Sequence, residues 1–272
     1  MGYYKILGLE KEPFSTSPDP DFFYPSFSHE TALKRLEISV RLKRGLNLIL
    51  GDVGIGKTTI LRMLLRAFSS GSEFDFHLIM DPSFKSEYQF LSRLVKIFDL
   101  SPQSKSTLDL KECIEHYLFT KTVEENRTVV LLIDEGQKLS FENIEALRML
   151  LNFETNQYKL LQIVIMSQLD ILPRLKRVRN FTDRIALKYT LNPLDAQETR
   201  NLINFRLKAA GYDNKKDLFS EDAIKQIYLK SHGYPRRISL ICHDALEAAV
   251  ISERRTIDSS LITEMPYEPI TL

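Results

Sequence analysis

Nine consecutive residues, Gly51-Asp52-Val53-Gly54-Ile55-Gly56-Lys57-Thr58-Thr59, have the types and spacing needed to hold a phosphate. They fit G-x-x-x-x-G-K-[ST] through Gly51, Gly56, Lys57 and Thr58. Glycines let successive backbone N–H groups point into one concavity, and a helix start adds the positive end of its dipole. Lys57 would reach the β- and γ-phosphates of a nucleotide, and the Thr58 hydroxyl would ligate Mg2+. The competing reading is a glycine-rich turn that merely contains Lys-Thr. It is disfavoured by the apolar run LNLIL before the loop and the helical pattern ILRMLLRAF after it.

The run VVLLIDE supplies a second group. Asp134, at the end of a buried strand, can hold Mg2+ through its water shell. Glu135 can accept a proton from an attacking water as general base. Acids at strand ends also cap helices, but the phosphate loop upstream favours the chemical reading. An acidic pair here favours hydrolysis over transfer to another acceptor, because a kinase must keep water from the γ-phosphate.

Three further positions are candidates. The run LLQIVIMSQ ends in Ser167-Gln168, and Gln168 either meets the γ-phosphate and its water or is an exposed strand end. The segment LPRLKRVRNFTDRI carries Arg174, Lys176, Arg177, Arg179 and Arg184. Arg184, just before the last strand, is placed to act in trans on a neighbouring subunit's nucleotide. Arg177 and Arg179 are lesser candidates for that role, the alternatives being a solvated basic face, a subunit contact or a nucleic-acid contact. In GYPRRI, Gly233 and Pro235 set a turn and Arg236 falls in a helix first turn, where a cation is electrostatically unfavourable. Its presence therefore needs another reason, such as reaching back to the nucleotide.

The elements that must position these groups follow from periodicity. Apolar β-type runs at 46–50, 76–80, 129–133, 162–166 and 185–191 alternate with helical stretches at 57–69, 86–99, 108–124, 141–154 and 171–179. Continuous apolar strands alternating with helices predict a five-stranded parallel sheet covered on both faces. A further helix is expected over 29–43, preceded by a Pro- and aromatic-rich segment at 12–27 pinned down by ring burial. After Pro193 no strand signal returns, and three helices carry start signals at Asp195, Ser220 and Pro235. The expected organisation is an N-terminal segment and helix on the core (1–45), an α/β core (46–193), a small helical lid (194–265) and a frayed tail (266–272).

Composition bounds the rest. The 272 residues carry a net charge of +1, which argues against a globally basic nucleic-acid protein but allows a local basic face. Cys113 and Cys242 lack the spacing of a zinc site and read as reduced thiols, and the five histidines show no metal pattern. No apolar run approaches the length of a membrane span, and the N-terminus lacks the order of a signal peptide. A cytoplasmic protein with no direct membrane insertion is expected.

With these residues in hand the chain resembles the AAA+ ATPases, and within them the ExeA/GspA-like (general secretion pathway protein A-like) family. The resemblance rests on the N-terminal PFSTSPDPDFFY, on GDVGIGKTT, LLIDEGQKLS and LRMLLNFETNQYKLLQIVIMSQ, and on DRIALKYTL and GYPRRISLICHDAL. It implies a RecA-like P-loop core with a helical lid, ATP at their junction, and ring-like or filamentous homo-oligomers. It makes Asp134 and Glu135 the Walker B pair, Gln168 the sensor-1 residue, Arg236 the sensor-2 residue and Arg184 the arginine finger. Gly136 stands where the family commonly has alanine, a change expected to be harmless, and Ser167 where a glycine is usual. Secretion-linked members typically continue into a transmembrane helix and a peptidoglycan-binding region beyond the point where this sequence ends. Three outputs are therefore weighed: a secretion- or pilus-type assembly ATPase acting with a separate membrane protein, a DNA-binding ATPase accompanying a transposase, and a nucleotide-binding scaffold with negligible turnover.

Overall fold

Strands β1 (Leu46–Leu50), β3 (Thr128–Ile133) and β4 (Leu161–Ser167) are apolar almost throughout, and every residue in them is buried. Such runs can be satisfied only inside a sheet covered on both faces. The computed structural model places them there: with β2 (Phe74–Ile79) and β5 (Ile185–Thr190) they form one wholly parallel sheet of order β2-β3-β4-β1-β5. The edge strand β5 is only half-buried and alternates with exposed residues, as expected for a strand with one free side. Residues 3–15, 19–69, 71–102, 106–213 and 217–265 are described. The tail 266–272, expected to fray, and residues 16–18 of the Pro-rich segment lie outside them.

The chain divides into two compact units, His29–Val53 with Ile60–Leu191, and Met1–Ser28 with Gly54–Thr59 and Asn192–Leu272. In the first, the sheet is accompanied by all but the opening residues of helices α1 (Phe27–Arg41) and α2 (Lys57–Ala67), and by α3 (Glu87–Ile97), α4 (Thr107–Phe119), α5 (Phe141–Leu150) and α6 (Leu172–Arg177). Ser86, Ser106 and Ser140 start α3, α4 and α5 by accepting from the backbone N–H three residues on. The helix expected over 108–124 stops at Phe119 and continues as a π turn, Thr120–Glu124. Buried Thr122 in that turn donates its hydroxyl to the Leu160 carbonyl at 3.2 Å, which ties the turn to the entrance of β4.

In the second unit α7 (Ala196–Ala209), α8 (Glu221–Ser231), α9 (Pro235–Ile251) and α10 (Ser259–Glu264) surround a cluster of Leu202, Ile203, Ile227, Ile238, Ile241 and Leu246. The start of α7 is a capping box: Asp195 accepts from the Glu198 N–H and Glu198 accepts from the Asp195 N–H. Leu9, Phe14 and Phe22 belong to the same cluster, with Phe14 edge-on to Phe219 at 6.0 Å. The N-terminal segment, expected above to pack on the strand-bearing core, shares its buried cluster with the C-terminal helices as far as Phe22. Arg206, half-buried, donates to the Ser15 carbonyl and the Ser239 hydroxyl and joins the same two stretches. The short α10 was not among the three helices expected. Both cysteines are free, Cys242 buried and Cys113 half-buried. Among the described residues no helix is long and apolar enough to cross a membrane.

One half-buried group on β2 is expected to make stability depend on pH. His77 on β2 lies edge-on to Phe98 at 4.6 Å and shares a hydrogen bond of 3.2 Å with the Tyr117 hydroxyl. Burial lowers the His77 pKa, against weaker opposing effects of the Asp75 charge and the Ile97 backbone. Below the unfolded value of about 6.5 the unfolded chain binds this proton more readily than the folded one. Stability from His77 is therefore present at neutral pH and lost as pH falls below that value. The urea midpoint should drop between pH 7.5 and pH 5.5 by less in His77→Gln than in the parent chain; equal drops would remove His77 as a cause.

Candidate functional site

The phosphate-loop motif begins where β1 ends. β1 lies between β4 and β5, and β4 lies beside β3, so the C-terminal tips of β3, β4 and β1 are neighbours in the sheet. Register fixes this closely, with Leu50 opposite Ser167 and Ile133 opposite Ile165. The Gly51 N–H donates to the Ser167 carbonyl at 3.1 Å and extends the ladder one residue beyond the strand. The carboxyl edge of a parallel sheet is where α/β folds bind ligands, and three of the sequence candidates, Gly51, Asp134 with Glu135, and Ser167-Gln168, fall on that edge.

Asp52 and Val53 are exposed, whereas Ile55 is buried and anchors the loop. Gly54 and Gly56 have φ of +76° and +106°, a region L side chains rarely adopt. Lys57 is the first residue of α2 and is only 8% exposed, so a primary amine sits at a buried helix start. Thr58 and Thr59 follow in the first turn of α2. A loop whose glycines take positive φ and whose end is a helix N-terminus fits a phosphate group.

Within the unit that contains Gly54–Thr59, Arg236 lies against that loop. Its backbone N–H donates to the Gly54 carbonyl at 3.2 Å, and a Cβ added to Gly54 would sit 2.8 Å from the Arg236 Cβ. Arg236 itself is exposed, in the first turn of α9. The segment GYPRR is thus packed on the glycine-rich loop, Arg236 meeting Gly54 across 182 residues of sequence. Arg237 lies over the Tyr234 ring at 5.0 Å instead.

The acidic pair sits immediately after β3. Asp134 is 2% exposed; its N–H continues the ladder to the Ile79 carbonyl, and its carboxylate accepts from the Glu135 N–H at 2.9 Å. Glu135 is half-buried and left-handed, at φ +53° and ψ +38°. A non-glycine residue held there costs about 1–3 kcal/mol, and such strain clusters at functional sites. Buried carboxylate oxygen is the donor type that Mg2+ takes, so Asp134 fits that ion.

The turn Gly136–Lys138 then packs on the tip of β4. A Cβ on Gly136 would lie 2.4 Å from Ile165 Cγ2 and 3.1 Å from both the Met166 carbonyl and Ser167 Cβ. Glycine fits this seat, whereas a Cβ here would require the Ile165 side chain to move. Gln137 bridges two candidates: its amide nitrogen donates to Glu135 Oε2 at 2.6 Å, and its amide oxygen accepts from the Gln168 N–H at 3.2 Å and the Ser167 hydroxyl at 3.5 Å. Arg174 donates to the Gln137 and Leu139 carbonyls and pins the turn from α6. The sequence reading passed over Gln137 and treated Arg174 only as part of a charge run. The one signal available was that Gln137 follows the acids by two residues.

Among the remaining arginines, Arg177 and Arg179 are exposed, and Arg184 is half-buried at the end of the turn Thr182–Arg184, directly before β5. The Arg184 Nε is buried without a hydrogen-bond partner among the described residues. No hydrogen bond or ion pair among the described residues joins Arg184 to Glu135 or Gln168.

Comparison with known proteins adds to this geometry. Residues 40–175, half of the chain, match the AAA domain family. Over 269 residues, 98% of this chain, the sequence is 34% identical to general secretion pathway protein A of Aeromonas hydrophila, and it spans 48% of that protein's length. Among solved structures it is similar to Cdc6p from Pyrobaculum aerophilum (TM-score 0.65, 17% identity, 88% of this chain and 68% of that one). It is also similar to Drosophila ORC bound to DNA (TM-score 0.62, 20% identity, 87% of this chain and 58% of that one). At these identities the structural likeness is one of fold.

Proposed function

The chain belongs to the AAA domain family and is similar to general secretion pathway protein A, and from that premise we propose that it is a Mg2+-dependent ATP hydrolase whose nucleotide state controls self-assembly and a protein partner. The observation that supports this most is the shared carboxyl edge of β1, β4 and β3, from which the glycine loop, Ser167-Gln168 and Asp134-Glu135 emerge side by side. In this reading the backbone of Gly51–Thr59 and the α2 start bind the phosphates, and Lys57 supplies the neutralising charge at the β- and γ-phosphates. Thr58 and Asp134 would hold Mg2+, which when bound offsets phosphate charge in the transition state. Glu135 takes the proton of the attacking water. Gln168 orients that water, Arg236 binds the nucleotide from the first turn of α9, and Arg184 of a neighbouring copy completes charge stabilisation.

The partner we favour is a component of a secretion- or pilus-type assembly, on the strength of the general secretion pathway relative. A second reading, a DNA-binding ATPase acting with a transposase, is favoured by the exposed cations Lys176, Arg177 and Arg179 at the end of α6 and just beyond it. DNA-stimulated turnover that falls steeply with salt would select the second reading. The assembly part has its own test. Size analysis should show larger species with a slowly hydrolysed ATP analogue and Mg2+ than without nucleotide, and an unchanged monomer would count against Arg184 acting between copies.

A further inference from the structure

We propose that Gln137 is a positioning residue for hydrolysis, holding the Glu135 carboxylate and coupling it to the tip of β4. The proposal rests on the reading of Glu135 as the general base. Its ground is the pair of contacts made by one side-chain amide, to Glu135 Oε2 on one side and to Gln168 N–H and Ser167 Oγ on the other. The orientation of the amide is fixed by chemistry. Reversed, it would set oxygen against a carboxylate oxygen and NH2 against an N–H donor, two repulsive contacts in place of attractive ones.

Glu135 cannot place its own carboxylate by helix or strand geometry, because its backbone is left-handed and the strand has already ended. Its N–H is spent on Asp134. Gln137 supplies the missing constraint, and the platform beneath Gln137 is rigid. Gly136 packs on Ile165 and Ser167 with no room for a Cβ, and Arg174 grips the carbonyls on either side of Lys138. A change at the β4 tip, where Gln168 would meet the γ-phosphate, thereby reaches Glu135 through two hydrogen bonds. Gln137 touches neither phosphate nor water in this scheme; it acts through Glu135.

The test uses Gln137→Met, which keeps the length and packing of the side chain but neither hydrogen bond. ATP affinity should stay unchanged while kcat falls roughly tenfold to hundredfold, part of the ~10²–10⁴ that a positioned base supplies. In single-turnover assays Gln137→Met should cost nothing further once Glu135→Gln is present, because a residue acting through Glu135 has nothing left to position. A further loss of similar size in that background would assign Gln137 a structural role and overturn the proposal. A parental kcat in Gln137→Met, with Glu135→Gln inactive, would overturn the proposal and leave the base intact. Normal turnover in Glu135→Gln would remove the base itself and this proposal with it. Should the methionine variant fail to fold, Gln137→Asn, which withdraws the amide by one methylene, carries the same comparison.

Discussion

Replacing Glu135 by glutamine is expected to leave ATP binding intact and to lower turnover by roughly 10²–10⁴-fold, the contribution of a positioned general base. Glutamine has nearly the shape of glutamate, so packing at this half-buried position is kept, and the left-handed backbone is no more strained than before. What is lost is the acceptor for the water proton. The substitution also turns the contact with Gln137 from amide–carboxylate into amide–amide, which can still be made. ATP should therefore remain bound and unhydrolysed, and the variant should accumulate in the assembled form. Nucleotide content after gel filtration, read beside the phosphate release rate, checks both halves. Turnover at the parental rate would dismiss Glu135 as the base.

Lys57→Met should act on the other half of the cycle and abolish tight nucleotide binding. Lys57 is 8% exposed at the first residue of α2, so its charge interacts with a bound phosphate under little solvent screening. Methionine retains the apolar stem and removes the ammonium group. Removing one member of a buried charge pair costs about 2–5 kcal/mol, which is ~30-fold to several thousand-fold in Kd. Titration with a fluorescent ATP analogue should show that loss in Lys57→Met and none in Glu135→Gln. Equal affinity in both variants would mean that the loop does not bind phosphate through Lys57. Together the two substitutions separate binding from chemistry.

Much of this candidate site could be proposed from the sequence because its parts are encoded locally. The loop is a contiguous motif, the acids end a run of five buried apolar residues, and the five strands were each found within about two residues of their ends. Long-range pairings were harder to read. The contact of Arg236 with Gly54 joins distant segments, and only the odd placement of a cation in a helix first turn hinted at it. The packing of Leu9, Phe14 and Phe22 with the C-terminal helices follows from burying rings, but ring burial does not name the partner surface. Gln137 escaped notice because its role depends on the left-handed turn at Glu135, and no hydrophobic period reports a single residue's φ. The tight seat of Gly136 on β4 was hidden for a related reason: a glycine in sequence shows that a side chain is missing, not what would have met it. The six-residue α10 is too short for a helical period to stand out.

The central claim is that this loop and this acidic pair together hydrolyse ATP. The most direct measurement is single-turnover release of labelled γ-phosphate, with protein in excess over ATP, in the presence and absence of Mg2+. The account predicts release that requires Mg2+, is lost in Glu135→Gln and is not observed in Lys57→Met for want of bound nucleotide. ATP that binds with Mg2+ yet stays intact at the uncatalysed rate in the parent chain would contradict it, and would make the protein a nucleotide-binding scaffold.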